Sequence, residues 1–152
     1  MKKFITLLAI VFCGIVPAFA QASANYFPDS IIGLYQGKHE GTEFKVRIEQ
    51  NADGTFSAKL VWVKDCINPE TGRKRMDVKN PDKSKRYTPL DEVEIITGLK
   101  YNEEKKCWDK GRMYDPSKGK ASSISAFFEP DDRLSVKGKL LARKEYWRKI
   151  EE

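Results

Sequence analysis

An all-β fold, a closed barrel of eight antiparallel strands wound up and down, is what the sequence predicts, and three observations predict it. Apolar and polar residues alternate with period two through most of the chain. The alternating runs are five to ten residues long and are mostly separated by short turn-forming clusters. No stretch carries the 3.6-residue periodicity of a convincing amphipathic helix. Short strands of this kind build a sandwich or a barrel, and closure is favoured because an open sheet would leave two long unpaired edges.

The strands follow in order. "IGLYQ" is the first. In "EFKVRIEQ", Phe44, Val46 and Ile48 point one way while Glu43, Lys45, Arg47 and Glu49 point the other. Asn51-Ala52-Asp53-Gly54 is a turn with a glycine for positive φ. The chain returns in "TFSAKLVWVKD", where alternation places Phe56, Ala58, Leu60 and Trp62 on one face. "EVEIITGLKY", "KCWDKGRMY", "GKASSISAFF", "RLSVKGKL" and "KEYWRKI" complete the eight. The hairpin "GRMYDPSKGKASS" has its turn written in it. Asp115 suits the first position of a type I turn, Pro116 is pre-set for the second, and Gly119 takes the left-handed residue that follows. Trp108, Arg112 and Tyr114 lead in; Ile124, Ala126 and Phe128 lead out. Glu129-Pro130-Asp131-Asp132 marks the next turn.

Residues 1–20 read as a signal peptide that is removed. Lys2 and Lys3 form a positive n-region, Phe4 to Val16 is uncharged and apolar, and Ala18-Phe19-Ala20 is a small-x-small cleavage pattern. The apolar run is too short for a membrane anchor. Cys13 follows the bulky Phe12, which does not suit lipid attachment. The expectation is an exported protein, periplasmic or extracellular, with residues 21–152 forming one barrel domain. Loss of the leader leaves 26 Lys and Arg against 22 Asp and Glu, a net charge of +4. No later segment is apolar enough to span a bilayer, and a monomer is expected.

One connection breaks the rhythm. Residues 64–91 run far beyond a hairpin loop, and loops of that length are functional or disordered. Lys64 to Arg86 holds eight Lys or Arg and four acids, a surplus equal to the net charge of the whole mature chain. Asn80, Pro81 and Asp82 look like an N-cap, a first-turn proline and a first-turn acid, which predicts one or two helical turns near residues 81–86, folded over an end of the barrel.

At these residues the chain resembles a known family. The order is Lys64-Asp65 closing an aromatic-rich strand, then Lys79-Asn80-Pro81-Asp82, Arg86, Pro89-Leu90 and Gly98-Leu99. Trp108, Gly111-Arg112-Met113-Tyr114-Asp115-Pro116, Gly119-Lys120, Leu134 to Gly138 and Trp147 follow. This is similar to the exported bacterial proteins grouped as domain of unknown function family 2147. The resemblance covers nearly all of the mature chain and implies a lipocalin-like barrel. It carries over no catalytic role, because the family has no established activity. The chain departs from the family pattern in two places. The turn at Asn51 to Gly54 lacks a cysteine pair, and Asp91-Glu92 stand where a glycine follows Pro-Leu. Gly33-Leu34-Tyr35 is similar to the Gly-x-Trp of true lipocalins, with Tyr for Trp.

The side chains able to do chemistry are few. Cys66 and Cys107 are the only cysteines after the leader, and a pair in an exported chain is a candidate disulfide. Strict up-and-down winding argues against it by placing them at opposite ends of the barrel, about 26 Å apart for strands of eight residues, whereas a disulfide needs Cα atoms within about 7 Å. His39, the only histidine, reads as a solvated residue in a tight turn, with no second histidine and no nucleophile motif. One histidine and two distant cysteines give no metal site, and no cofactor is expected. Asp65, Asp77, Asn80, Asp82 and Asp115 form a polar set that fits turns and caps better than a calcium loop or an acid–base pair; pairing with Arg86 and Arg112 is expected.

Trp62, Trp108, Tyr114, Phe127, Tyr146 and Trp147 either line a ligand cavity or fill the interior, since eight strands can do both. Ser122, Ser123 and Ser125 favour open space slightly. Two functions stay open. The first is a non-enzymatic barrel binding a small, partly apolar ligand, with Trp62, Arg86, Trp108, Arg112, Tyr114 and Trp147 at its cavity or mouth. The second is an envelope protein whose basic segment 64–86 meets anionic lipid or another polyanion. Nucleic acid is not an expected partner, and an enzyme using the loop carboxylates is the weakest reading.

Overall fold

The computed structural model describes residues 26–138, 141 and 144–151; the expected leader lies outside them. Eight strands, β1 (Gly33–His39), β2 (Thr42–Gln50), β3 (Phe56–Val63), β4 (Glu94–Asn102), β5 (Cys107–Asp115), β6 (Lys120–Phe128), β7 (Leu134–Gly138) and β8 (Glu145–Ile150), form one closed antiparallel barrel in chain order. Closure is made by β1 and β8, which pair Leu34 with Ile150, Tyr35 with Lys149 and Gln36 with Arg148. Among the described residues no helix is long and apolar enough to cross a membrane.

Alternation positions the core as expected through most strands. Tyr35, Phe44, Val46, Ile48, Phe56, Ala58 and Leu60 are buried inside, with their charged neighbours outside. Register shifts interrupt the pairing of β2 with β3, β3 with β4 and β5 with β6, and the first and last of these turn expected faces around. In β3, Val46 opposes Leu60 but Lys45 opposes Trp62, so Val61 is an extra residue and the inward face passes to Val63. Trp62 therefore faces outward, 41% exposed, with the Lys45 ammonium 6.0 Å from its ring centre. In β5, Trp108 opposes Ala126 and Gly111 opposes Ile124, with Lys110 at φ 61 between them. Trp108, Gly111, Met113 and Asp115 face in, and Arg112 faces solvent. Both departures from the expected faces have this one cause.

The two ends of the barrel differ. Residues 26–32 plug the end where β1 begins. A 3-10 turn at Pro28–Ile31 buries Ile31, whose carbonyl accepts from the Tyr35 hydroxyl at 2.9 Å. Trp108 Nε1 donates to the Pro28 carbonyl at 3.0 Å, and the Tyr101 hydroxyl to the Tyr26 carbonyl at 2.7 Å. Tyr26 stacks on Phe128 at 4.3 Å, and Phe128 meets Trp108 edge-on at 5.6 Å.

The other end carries the β1–β2, β5–β6 and β7–β8 connections and the long segment between β3 and β4. That segment folds back on itself: Ile67 bridges to Lys74 and Met76 to Pro89, with the Asp77 amide donating to the Thr88 carbonyl. Its expected helical turn is a 3-10 turn at Lys83–Lys85, capped by Asp82, whose carboxylate accepts from the Ser84 amide at 2.9 Å. Asn80, expected as the cap, sits one turn earlier and accepts from the Asp82 amide instead. A further 3-10 turn at Leu90–Glu92 leads into β4.

Candidate functional site

Between the packed lower half of the barrel and the folded segment lies a cavity of about 640 Å³. Its wall inside the barrel is apolar: Phe44, Leu60, Ile95 and Met113 line it, and Phe44 is backed by Trp147, edge-on at 5.5 Å. Gly37 makes that backing possible, since a Cβ there would stand 2.6 Å from the Phe44 ring and 2.7 Å from that of Trp147. Met76, Val78 and Leu90 line the cavity from the folded segment, which forms a strap across the mouth.

The strap is fastened through Asp77, which is 1% exposed. Its carboxylate accepts from the Tyr114 hydroxyl on β5 at 2.7 Å and from Asn80 Nδ2 at 2.6 Å. Arg86 Nε donates to the Asn80 carbonyl at 2.8 Å, and Lys79 Nζ to the Ser117 carbonyl at 2.5 Å. Burial, with the hydrogen bond to Asp77 and the charges of Asp77 and Asp115, pushes the Tyr114 hydroxyl well above its ordinary pKa, so it donates at any physiological pH. Gly119, at φ +64, lets strap and hairpin touch, because a Cβ there would fall 2.3 Å from the Lys79 carbonyl oxygen.

A chain of alternating charges occupies the cavity's rim on the side of β1 and β8. His39 closes β1 with Nδ1–H donating to Glu145 Oε1 at 2.5 Å and Nε2 3.4 Å from Asp115 Oδ2. Lys118 stands 3.0 Å from Asp115 and 2.6 Å from Glu40. Trp147 Nε1 donates to the other oxygen of Glu145 at 3.1 Å. The hydrogen bond to Glu145 holds the imidazole above its ordinary pKa against the opposing effect of burial, aided by the charges of Glu145, Asp115 and Glu40. Burial would raise Asp115, but hydrogen bonds from Ser117 and Lys118 and the charges of His39 and Lys118 outweigh it and hold the carboxyl below its usual range. His39 is thus an element of the cavity wall, and its reading as a solvated turn residue is overturned.

Of the six aromatic and arginine side chains expected at the cavity or mouth, only Tyr114 lines it. Trp108 and Trp147 are fully buried in the packing beneath. Trp62 and Arg112 face outward for the reason given above, and Arg86 braces the strap, in no ion pair among the described residues. Phe127 and Tyr146 also lie outside the cavity, with the Lys144 ammonium 5.0 Å from each ring. Of the polar set, Asp65 and Asp115 line the cavity, Asp77 and Asn80 hold the strap, and Asp82 caps its helical turn. Cys66 is buried beside the cavity and Cys107 lies at the plugged end; both are free thiols, so the candidate disulfide is not formed. Among the described residues no group of three or more His, Cys, Asp or Glu side chains is arranged to hold a metal.

The sequence gives no direct sign of His39 and Glu145 meeting, since 106 positions separate them and only closure by β1 and β8 joins them. Met113 was hidden by the bulge in β5.

Comparison with known proteins agrees with this architecture. Protein HP1028 from the human pathogen Helicobacter pylori, described as belonging to the lipocalin family, superposes with a TM-score of 0.63 at 16% identity, over 80% of this chain and 83% of its own. At that identity the likeness is one of fold. No curated protein sequence matches this chain significantly. The profile of the family described as "uncharacterized protein conserved in bacteria", DUF2147, matches residues 33–149, from the first residue of β1 to the penultimate residue of β8. The chain is a member of the DUF2147 family and has its lipocalin-like barrel.

Proposed function

We propose that this protein is an exported monomeric carrier that holds one small, partly apolar molecule in the mouth of its barrel and performs no chemistry on it. The cavity carries this reading. Its volume of about 640 Å³ lies in the middle of the range for small-molecule sites, roughly 300–1,000 Å³, and an apolar wall below a few convergent polar groups is how such sites are built. The lipocalin family named for the structural neighbour supports it by analogy of fold alone. The surroundings of His39 favour binding over catalysis, because its two nitrogens face Glu145 and Asp115, and the hydrogen bond to Glu145 raises its pKa. Export rests on the leader-like residues 1–20.

A second reading, contact with an anionic envelope surface, has one observation in its favour. Ile67, Val78 and Tyr87 are exposed on the strap among its lysines and arginines, a mixture suited to a membrane interface. Native mass spectrometry of the protein purified from its own cells without detergent tests the first reading. The expected result is a discrete extra mass that leaves on denaturation. A clean apo mass, together with salt-dependent sedimentation on anionic vesicles, would transfer the function to the strap's outer surface.

A further inference from the structure

The carrier reading leaves open what kind of molecule enters and which way round, and the charges at the mouth decide both. Lys64, Arg75 and Lys79 all line the cavity and all have exposed side chains. Among the described residues, none of the three is in an ion pair; Lys79 donates to a carbonyl. The acids around the same cavity are differently placed. Asp115 and Glu145 are engaged by His39, and Asp115 and Glu40 by Lys118. Among the described residues, Asp65 is the one lining carboxylate outside that network. Among the described residues, the mouth therefore presents three cations outside any ion pair against one such acid.

On the β1 and β8 side of the same rim, the carboxylates Glu40, Asp115 and Glu145 are engaged by His39 and Lys118. Below it come Phe44, Leu60, Ile95 and Met113, with no charge to receive an ion. An anionic group pushed inward among Phe44, Leu60, Ile95 and Met113 would lose water and find no charged partner. The same group left at Lys64, Arg75 and Lys79 keeps part of its hydration and gains three positive neighbours.

We infer that the ligand is an amphiphilic anion, bound with its apolar body in the barrel and its carboxylate or phosphate group at the mouth against Lys64, Arg75 and Lys79. The inference rests on the carrier reading and adds the head group's sign and the direction of entry. Because the body is held by apolar burial, affinity rises about four-fold for each methylene added until the cavity is full. Because the cationic side chains are exposed, the preference for an anionic head is screened by salt, while the contribution of the tail is not.

Saturated n-alkanoates of increasing length, the matching n-alkanols and n-alkylamines, and one alkyl phosphate are the probes, titrated calorimetrically into the wild-type protein at low and high salt. The expected result is an alkanoate bound on the order of ten-fold more tightly than its alkanol at low salt, with the gap closing at high salt. The triple variant Lys64→Gln, Arg75→Gln, Lys79→Gln should lose that preference and keep the alkanol affinity. A control triple, Arg73→Gln, Lys83→Gln, Lys85→Gln, removes the same charge from strap residues outside the cavity lining and should keep the preference. The phosphate probe, compared with the alkanoate, tells which anion fits better. An alkanol or alkylamine that binds as well as the alkanoate would overturn the head-group inference and leave the cavity standing. So would equal effects of the two triple variants. Failure of every probe at every length would overturn the carrier reading itself. If the mouth variant does not fold, the salt dependence of the wild-type preference decides alone.

Discussion

The two ends of this barrel are built from the same strands and do opposite things. At the plugged end, Trp108, Phe128, Tyr101 and Tyr26 fit against one another, and their polar atoms go to backbone carbonyls or to Asp132. At the mouth, the strands' inward residues stop short of filling the space, and a strap held by buried hydrogen bonds covers what remains. One end spends its aromatic side chains on stability; the other leaves apolar surface to be covered by a guest. Three predictions test that division.

The largest effect belongs to the plugged end. Trp108→Ala removes a fully buried indole and the bond to Pro28, and should cost ~3–5 kcal/mol. Met113→Ala removes a side chain that already faces the cavity on one side, so it should cost no more than about 2 kcal/mol, the low end for such truncations. Urea unfolding of the two variants checks this. Similar losses at both sites would mean that the mouth is as tightly packed as the plug.

The middle effect belongs to the strap. Asp77→Ala leaves the Tyr114 hydroxyl and the Asn80 amide without their shared acceptor, and should cost about 1–3 kcal/mol. The loss should be local. Amide hydrogen exchange in residues 64–92 should rise while protection in β5 to β7 changes little. Asp77→Asn keeps one carbonyl acceptor and should recover part of the loss. If exchange instead rises evenly around the barrel, the strap is a structural part of the β-sheet's cooperative unit and not a cover that can open.

How much of this was legible in the sequence differs between the same two regions. The strands were readable because alternation is a local signal, and the Asp115–Gly119 turn because Asp, Pro and Gly each have a physical reason to be there; the Gly119 amide bonds to the Asp115 carbonyl at 2.8 Å, with φ +64. What defeated the reading was two inserted residues. A bulge reverses every face beyond it, so Trp62 and Arg112 were assigned inward, and Met113 was missed, on alternation that no longer applied. The strap was visible as an overlong basic connection, yet its fastening was not, because Asp77 meets Tyr114 across 37 positions through tertiary contact alone. The expectation that the acids would pair with Arg86 and Arg112 failed for the same reason. Neutral donors, Tyr114 and Asn80, satisfy Asp77 instead.

The smallest effect lies in the charge network, and its pH dependence has a definite sign. His39 is contacted by Glu145 on β8 and by Asp115 on β5, with Glu40 in the β1–β2 turn and Lys118 in the β5–β6 turn completing the network. Its pKa in the folded protein lies above the unfolded value of about 6.5. The folded state therefore binds the imidazole proton more tightly than the unfolded state does. The stabilisation is fully present below about pH 6.5 and is lost as pH rises through the folded pKa. Asp115, with its pKa held low, contributes in a separate window: its stabilisation is present above the ordinary carboxylate range and lost in acid. Unfolding free energies of the wild type and His39→Gln, compared from about pH 5 to about pH 9, isolate the histidine, because titrations common to both proteins cancel in the difference. The wild type's advantage over the variant should be widest at the acid end and shrink as pH climbs. An advantage that grows with pH would mean that the imidazole is neutral in the folded state, and that the cavity rim carries one more uncompensated carboxylate than the geometry implies.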